Sequence, residues 1–260
     1  MVGHPVAHSL SPVMHRAAYV ELGLDWTYDA VDVEPGGLAD HVASLDPAWR
    51  ALSVTAPHKR DALALADDVS TVAAEVGAAN TLLLDEGRVV ADNTDVPGAV
   101  AALRERGITS LDRVRVLGAG ATAASVAFAA TALDARTLEL VVRDPARADE
   151  TAAAARDAGL DVEVHPLDDV PDGRVDLLVS TVPESAVGGD VDRLLAGADA
   201  VFDVLYDPWP TRLAEAAAQA GLPVATGLDL LAHQAVLQVR LMTGHDVPVD
   251  VLRQVALDAL

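Results

Sequence analysis

Cysteine is missing from this chain, and lysine occurs once. Without cysteine there is no disulfide, no thiol nucleophile and no thiolate metal site. Aromatic residues are scarce, with three Trp, three Tyr and two Phe in 260 residues. The mixture rich in Ala, Val, Leu and Asp that remains suits alternating strands and helices better than a β-sandwich. No signal peptide and no unbroken apolar run of membrane-spanning length are found, so a soluble cytoplasmic protein is expected. Cations are few: 18 Lys and Arg against 40 Asp and Glu, a net charge of −22. That balance argues against nucleic acid or an anionic membrane as the main partner. It leaves room for a small anionic ligand, held where the scarce cations gather.

Lys59 is the only lysine; every other cation among those 18 is arginine. Arginine replaces lysine on a surface at little cost, but it fails where a compact ammonium must give up and regain a proton. Lys59 is therefore a candidate acid/base. It follows the apolar, strand-like run from Trp49 to Val54, after Thr55 and Pro57. Pro57 suits the first turn of a helix, which puts Lys59 near a helix N-terminus, where the macrodipole disfavours positive charge.

Met1 to Gly3 reads as the tail of a strand, followed by Gly3-His4-Pro5-Val6-Ala7-His8-Ser9-Leu10-Ser11-Pro12 and a helix to Leu22. Ser11 before Pro12 fits a helix N-cap, which leaves Ser9 unexplained. Two hydroxyls aimed at a helix N-terminus make a seat for a carboxylate or phosphate. His4, His8 and His15 lack a convincing fourth metal ligand and read as histidines lining a turn. Asp25 to Val33 reads as a strand, and Gly36 to Leu45 as a helix. Helical segments then run to Glu75, broken near Asp67-Asp68. Asn80 enters a strand that Asp85-Glu86-Gly87 turns into a hairpin. Asp95 fits either a site residue or an N-cap for a helix from Val96 to Arg106. Ser11, Thr55 and Asp95 all stand one or two residues before proline at the end of a strand or loop, the edge where open α/β sheets bind ligands.

From Arg113 the pattern becomes a regular βαβ. A strand ending at Leu117 leads into Gly118-Ala119-Gly120-Ala121-Thr122-Ala123, then a small-residue helix from Ala124 and a second strand, Thr137 to Val142. G-x-G-x-x-A between strand and helix is the context of the dinucleotide fingerprint. The second strand ends in Arg143, with Arg147 one turn on, which suits a ribose 2′-phosphate and hence NADP; Asp144 favours NAD. Val162 to His165, Val175 to Val179 and Ala200 to Val204 read as further strands, the last two buried and parallel. Ser180-Thr181-Val182-Pro183 and Tyr206-Asp207-Pro208 follow their ends. A helix from Thr211 to Ala220, a strand from Pro223 to Ala225, and helices from Gly227 to Met242 and Val249 to Leu260 complete the chain.

As an ordered set these stretches resemble the shikimate dehydrogenase family. The resemblance rests on His8-Ser9-Leu10-Ser11-Pro12, Val54-Thr55 with Pro57 and Lys59, Ala79-Asn80-Thr81, Asn93-Thr94-Asp95, the glycine turn, Tyr206 with Pro208 and Thr211, and Gly227 with Gln234. It implies NADPH-dependent reduction of 3-dehydroshikimate on the route to the aromatic amino acids, with Lys59 and Asp95 as the catalytic pair. It implies further that Ser9, Ser11 and Tyr206 hold a substrate carboxylate and that Thr55, Asn80, Asp95 and Gln234 hold ring hydroxyls. The nucleotide falls to Gly118, Ala119, Gly120, Ala121, Thr122, Arg143, Arg147, Thr181 and Gly227. The implied fold is α/β with two domains. Residues 1–95 plus 227–260 would bind substrate, residues 96–226 would form a Rossmann-like NADP domain, and the C-terminal helices would return to the first domain with the substrate in the cleft between. Three stretches depart from the family pattern: Ser53 where Asn is common, Val142-Arg143-Asp144 for Asn-Arg-Thr, and Ser180-Thr181-Val182-Pro183 for an Asn-Ala-Thr-type run. Rival readings are an NAD-using quinate/shikimate dehydrogenase and a nucleotide-sensing protein that kept the fold without the chemistry. Monomer and homodimer are both compatible with the sequence.

Overall fold

The computed structural model describes residues 1–187 and 191–260. The chain divides into two compact units, one made of Met1–Gly98 with Leu231–Leu260 and the other of Ala99–Leu230.

The first unit opens with β1 (Val2–Gly3), α1 (Ser11–Glu21), β2 (Val31–Asp32), α2 (Leu38–Ser44), β3 (Ala51–Ser53), α3 (Lys59–Ala64), β4 (Asp68–Val69), α4 (Thr71–Val76), β5 (Thr81–Asp85) and β6 (Arg88–Asp92). Four strands lie in the order β3-β5-β6-β4, and β1 pairs in parallel with β2. A bridge from Val2 to Val54 carries the pairing on past β3. Val2, Leu52, Val54, Leu82 and Ala91, on or beside these strands, form a buried core with Leu38 of α2. The β5–β6 turn puts both Glu86 and Gly87 at positive φ, 46° and 84°, the geometry whose twist matches a tight hairpin. In α4 the Ser70 hydroxyl accepts from Ala73 N at 3.2 Å, and Gly77 ends the helix at φ 71°, so that the chain turns sharply into Asn80.

Two differences from the sequence reading have physical causes. Of the expected strand 25–33 only Val31–Asp32 has regular strand geometry, although Val33 N still donates to Gly3 O at 3.0 Å. Before it, the Tyr28 carbonyl is taken by Arg16 Nε at 2.9 Å, which satisfies that backbone group without a ladder. The break at Asp67-Asp68 is itself β4, two residues paired in parallel with β6 and hidden by their acidic lead.

Helix α5 (Asp95–Glu105) carries the chain into the second unit. There β7 (Arg113–Leu117), α6 (Ala121–Thr131), β8 (Thr137–Val142), a 3₁₀ turn at Pro145–Ala148, α7 (Asp149–Asp157), β9 (Asp161–Pro166), β10 (Leu177–Ser180), α8 (Glu184–Val187), α9 (Val191–Leu195), β11 (Val201–Asp203), α10 (Arg212–Gln219) and β12 (Val224–Thr226) follow. The six strands run in the order β12-β11-β10-β7-β8-β9, all parallel. The connections reverse direction between β7 and β10, which makes the end of β7 the topological switch point, and Gly118 follows there. Small side chains let α6 sit close on the sheet: Ala123 through Ala130 are all buried. Leu117, Val141, Leu178, Val201 and Leu213 belong to the core beside it.

Helix α11 (Gly227–Thr243) takes the chain back into the first unit, where α12 (Val249–Leu257) packs on α1. Leu252 and Ala256 meet a helix whose own buried face includes Met14 and Ala18.

Candidate active site

Lys59 is the first residue of α3 and Asp95 the first of α5, and they are only 8% and 5% exposed. The Lys59 ammonium donates to Asp95 Oδ2 at 2.7 Å. A buried ion pair persists only where its geometry is good and its remaining oxygens are satisfied. The second condition is met by Asn80, whose Nδ2 donates to Asp95 Oδ1 at 2.9 Å. The α5 macrodipole also favours the carboxylate. Asp95 is not the cap of that helix: Asn93 Oδ1 takes the backbone N–H groups of Asp95 and Val96, at 3.0 and 3.2 Å. The Asp95 side chain is left for the lysine.

The Asn80 amide is held on both ends. Its Oδ1 accepts from Thr94 N and from the Thr81 hydroxyl, each at 2.9 Å, and its Nδ2 also donates to Thr94 Oγ1 at 2.8 Å. Gln234 on α11 completes the group, with Oε1 3.4 Å from both Asn80 Nδ2 and Thr94 Oγ1. Its approach depends on Gly98: a Cβ there would lie 2.9 Å from the Gln234 backbone nitrogen. Lys59, Asn80, Asp95 and Gln234 thus converge from α3, the entry to β5, α5 and α11.

Among the described residues, no hydrogen bond ties Ser9, Ser11 or Thr55 to this cluster. Ser11 is the first residue of α1 and makes no cap bond; Leu10 is the cap residue, and Ser9 Oγ accepts from Ser11 N at 3.3 Å. The capping role expected of Ser11 is therefore absent. Thr55 follows the bridge residue Val54 with its N–H on Val2 O at 2.9 Å. A Cβ on Gly3 would come within 2.3 Å of the Thr55 methyl, so that glycine is set by close packing.

His15, expected at a turn, is instead fully buried on α1, stacked on Tyr28 with ring centroids 4.3 Å apart. Its Nδ1 lies 2.9 Å from Ser11 O, and since a carbonyl can only accept, Nδ1 carries the proton. Burial presses the imidazole pKa down to about 4, with the Ser11 hydrogen bond opposing.

In the second unit Gly118 takes φ +112°, and a Cβ there would stand 2.4 Å from Thr181 Oγ1, which donates to Leu117 O at 2.8 Å. Only glycine satisfies both conditions. Gly120 is the cap residue of α6 and offers no side chain, and a Cβ on it would meet no protein atom within 4 Å. There is thus room beside Gly120, at the N-terminus of α6, for an anion. Thr151 on α7, which sequence reasoning missed, donates to Ala119 O at 2.8 Å. That bond turns the Gly120 N–H of the same planar peptide the opposite way. Arg143 and Arg147 are exposed beyond β8. Asp144 Oδ1 accepts from Ala146 N at 3.2 Å as the cap of the 3₁₀ turn. The cradle and the two arginines fit a phosphorylated dinucleotide. Gly227 is explained by packing, since its Cβ would lie 2.2 Å from Val204 O. Tyr206 is half-buried in the loop after β11.

A parallel sheet with a glycine turn at its switch point, in a chain that also buries a lysine–aspartate pair, defines a pyridine-nucleotide oxidoreductase. Residues 1–82 match the model described as shikimate dehydrogenase substrate binding domain, and residues 227–257 that described as shikimate 5'-dehydrogenase C-terminal domain. The shikimate dehydrogenase (NADP(+)) of Moorella thermoacetica is 36% identical over 100% of this chain and 92% of its own length. The crystal structure of shikimate 5-dehydrogenase from Thermus thermophilus in complex with NADP(H) and shikimate has a TM-score of 0.83 at 34% identity, covering 100% of this chain and 98% of that one. Quinate dehydrogenase from Corynebacterium glutamicum in complex with NAD has a TM-score of 0.86 at 30% identity, covering 99% and 97%. The chain belongs to the shikimate dehydrogenase family.

Proposed function

We propose that this protein catalyses the reversible NADPH-dependent reduction of 3-dehydroshikimate to shikimate. The observation that carries the reading is the buried 2.7 Å contact of Lys59 with Asp95, shared with Asn80. When bound, NADPH supplies a hydride to the ring carbonyl, and the oxygen left behind needs a donor within hydrogen-bond reach. Lys59 Nζ donates to that oxygen and gives up a proton to it; in the oxidative direction it takes the proton back. Asp95 keeps the ammonium aimed and, with Thr55, Asn80 and Gln234, holds the neighbouring hydroxyls. Ser9 and Ser11 hold the carboxylate, with Tyr206 as a further ligand. The unit built from residues 1–98 and 231–260 is the substrate-binding part and residues 99–230 the nucleotide-binding part, where Gly118 to Thr122, Thr181 and Gly227 form or brace the cradle and Arg143 and Arg147 hold the 2′-phosphate. The preference for NADP is supported by Arg143 and Arg147, both exposed just beyond β8 where a 2′-phosphate would be met. No described helix is long and apolar enough to cross a membrane; we place the enzyme in the cytoplasm, as a monomer or homodimer acting on small molecules.

The test is the absorbance of NADPH formed from NADP and shikimate, with wild type and Lys59→Ala side by side. Lys59→Ala should lower kcat by about 100-fold or more with a modest change in KM. Near-normal turnover in that variant would remove Lys59 from the chemistry. The likeness to an NAD-bound quinate dehydrogenase favours a second reading, in which quinate and NAD are used as well. Comparing kcat/KM for NADP against NAD and for shikimate against quinate separates the two, and no turnover with any pair would leave a nucleotide-binding protein without this chemistry.

A further inference from the structure

Gln238 lies one turn beyond Gln234 on α11, buried, and takes no part in the proposed reaction. Its Nε2 donates to the Asn80 backbone oxygen and to Thr81 Oγ1, both at 2.9 Å, while its Oε1 accepts from Ser53 Oγ at 2.8 Å. These bonds have a sense. A backbone carbonyl can only accept, so the Asn80 oxygen fixes which end of the Gln238 amide is the donor. Thr81 Oγ1, having accepted from Gln238, has one proton to give, and Asn80 Oδ1 is 2.9 Å away. The far end is fixed independently: Thr94 N can only donate to Asn80 Oδ1, and Asp95 Oδ1 can only accept from Asn80 Nδ2. The two amides and the hydroxyl between them agree in direction from α11 to the carboxylate that holds Lys59.

We propose that Gln238 is a positioning residue for the Lys59–Asp95 pair, acting through Thr81 and Asn80, with Ser53 steadying it from β3. Without it the Thr81 hydroxyl is free to rotate, Asn80 Oδ1 loses one of the donors that back it, leaving Thr94 N and the longer 3.2 Å contact of Thr94 Oγ1, and the amide that orients Asp95 loosens. The substrate is anchored by other groups as well, so the loss falls on turnover more than on binding. This rests on the catalytic role proposed for Lys59 and Asp95.

The experiment compares wild type with Gln238→Met, which keeps the volume, Thr81→Val, which keeps the shape, both together, and Thr81→Ser, which keeps the hydroxyl. Thermal unfolding and circular dichroism establish that each is folded. Gln238→Met and Thr81→Val should each lower kcat about tenfold, with KM for shikimate changed by no more than about threefold and KM for NADP unchanged. The double variant should be no slower than the worse single one, since both cut one path, and Thr81→Ser should recover to within about twofold of wild type. Wild-type kcat in Gln238→Met, or losses that multiply in the double variant, would overturn the proposal. Should Gln238→Met fail to fold, the contrast of Thr81→Val with Thr81→Ser decides. An inactive wild type would defeat the proposed reaction but not the relay, which is then read from the Asn80 side-chain amide by nitrogen-15 NMR. Slow proton exchange there should quicken in both Gln238→Met and Thr81→Val; equal rates in all forms would end it.

Discussion

At position 59, arginine and alanine should fail for different reasons. Lys59→Arg keeps a cation beside Asp95 but one that does not release its proton in a protein. It is expected to unfold within about 1 kcal/mol of wild type while losing about 100-fold or more in kcat. Lys59→Ala leaves a buried carboxylate without its cation, for which a loss of about 3 kcal/mol is expected. Urea unfolding read beside kcat checks both; an active Lys59→Arg would mean that charge alone suffices. Lys59 could be singled out from sequence because it is unique where arginine is otherwise used throughout, and Asp95 because it sits before a proline at the start of a helix. Gln238 could not. Its bond to Thr81 spans 157 residues, and a glutamine on an amphipathic helix looks the same whether it faces water or a buried hydroxyl. Asn93 was likewise concealed, because the sequence reading placed the cap at Asp95, and only backbone direction shows that Asn93 Oδ1 takes the N–H groups of Asp95 and Val96.

Two elements carry predictions of their own. Helices α5 and α11 meet at Gly98, where an added Cβ would press on the Gln234 backbone at 2.9 Å. Backbone cannot rotate aside, so Gly98→Ala should cost about 1–3 kcal/mol and displace Gln234. Thermal unfolding together with KM for shikimate reads both effects, and an unchanged Tm would show that the helices part freely. On α1, burial holds the His15 pKa at about 4, against 6.5 when unfolded. As pH falls through that window the unfolded chain binds a proton that the folded one refuses, so stability is complete above about pH 6.5 and is lost progressively towards pH 4. The loss amounts to about 3 kcal/mol. His15→Gln should flatten the fall of the urea midpoint between those values, whatever it does to the midpoint at pH 7. An unaltered slope would assign the acid sensitivity to other groups. The strands β10 and β11 were legible because strands buried on both faces read as nearly continuous apolar runs. Strands β7 and β8 were legible because they flank the glycine turn in a βαβ pattern, although Arg115 and Glu139 interrupt them. β4 was not, being two residues long and led by an aspartate, and β2 was over-read because an arginine side chain takes a carbonyl that a strand would have used.

At the scale of the whole molecule the net charge of −22 dominates. Self-repulsion of that size weakens the compact state and is screened within about 10 Å at 0.1 M salt. Raising sodium chloride from about 0.01 to about 0.5 M should therefore raise the Tm by several degrees, as scanning calorimetry would register; a flat or falling Tm would mean that ion pairs such as Arg106 with Asp229 outweigh the repulsion. The two-unit organisation was legible from the change of pattern at Arg113 and from the family likeness. The detail that α5 and α11 pass from one unit to the other while still helical was not, since helical periodicity does not register a boundary inside a helix.

That crossing governs the order of events during synthesis. Residues 99–230 are contiguous and can fold as soon as they leave the ribosome, but the unit begun by the first 98 residues must wait for its last 30. Until α11 and α12 emerge, α1 lacks the helix that packs on it, and Asn80 has neither glutamine. The nascent chain thus owns a finished parallel sheet with its glycine turn well before the surroundings of Lys59 and Asp95 are complete.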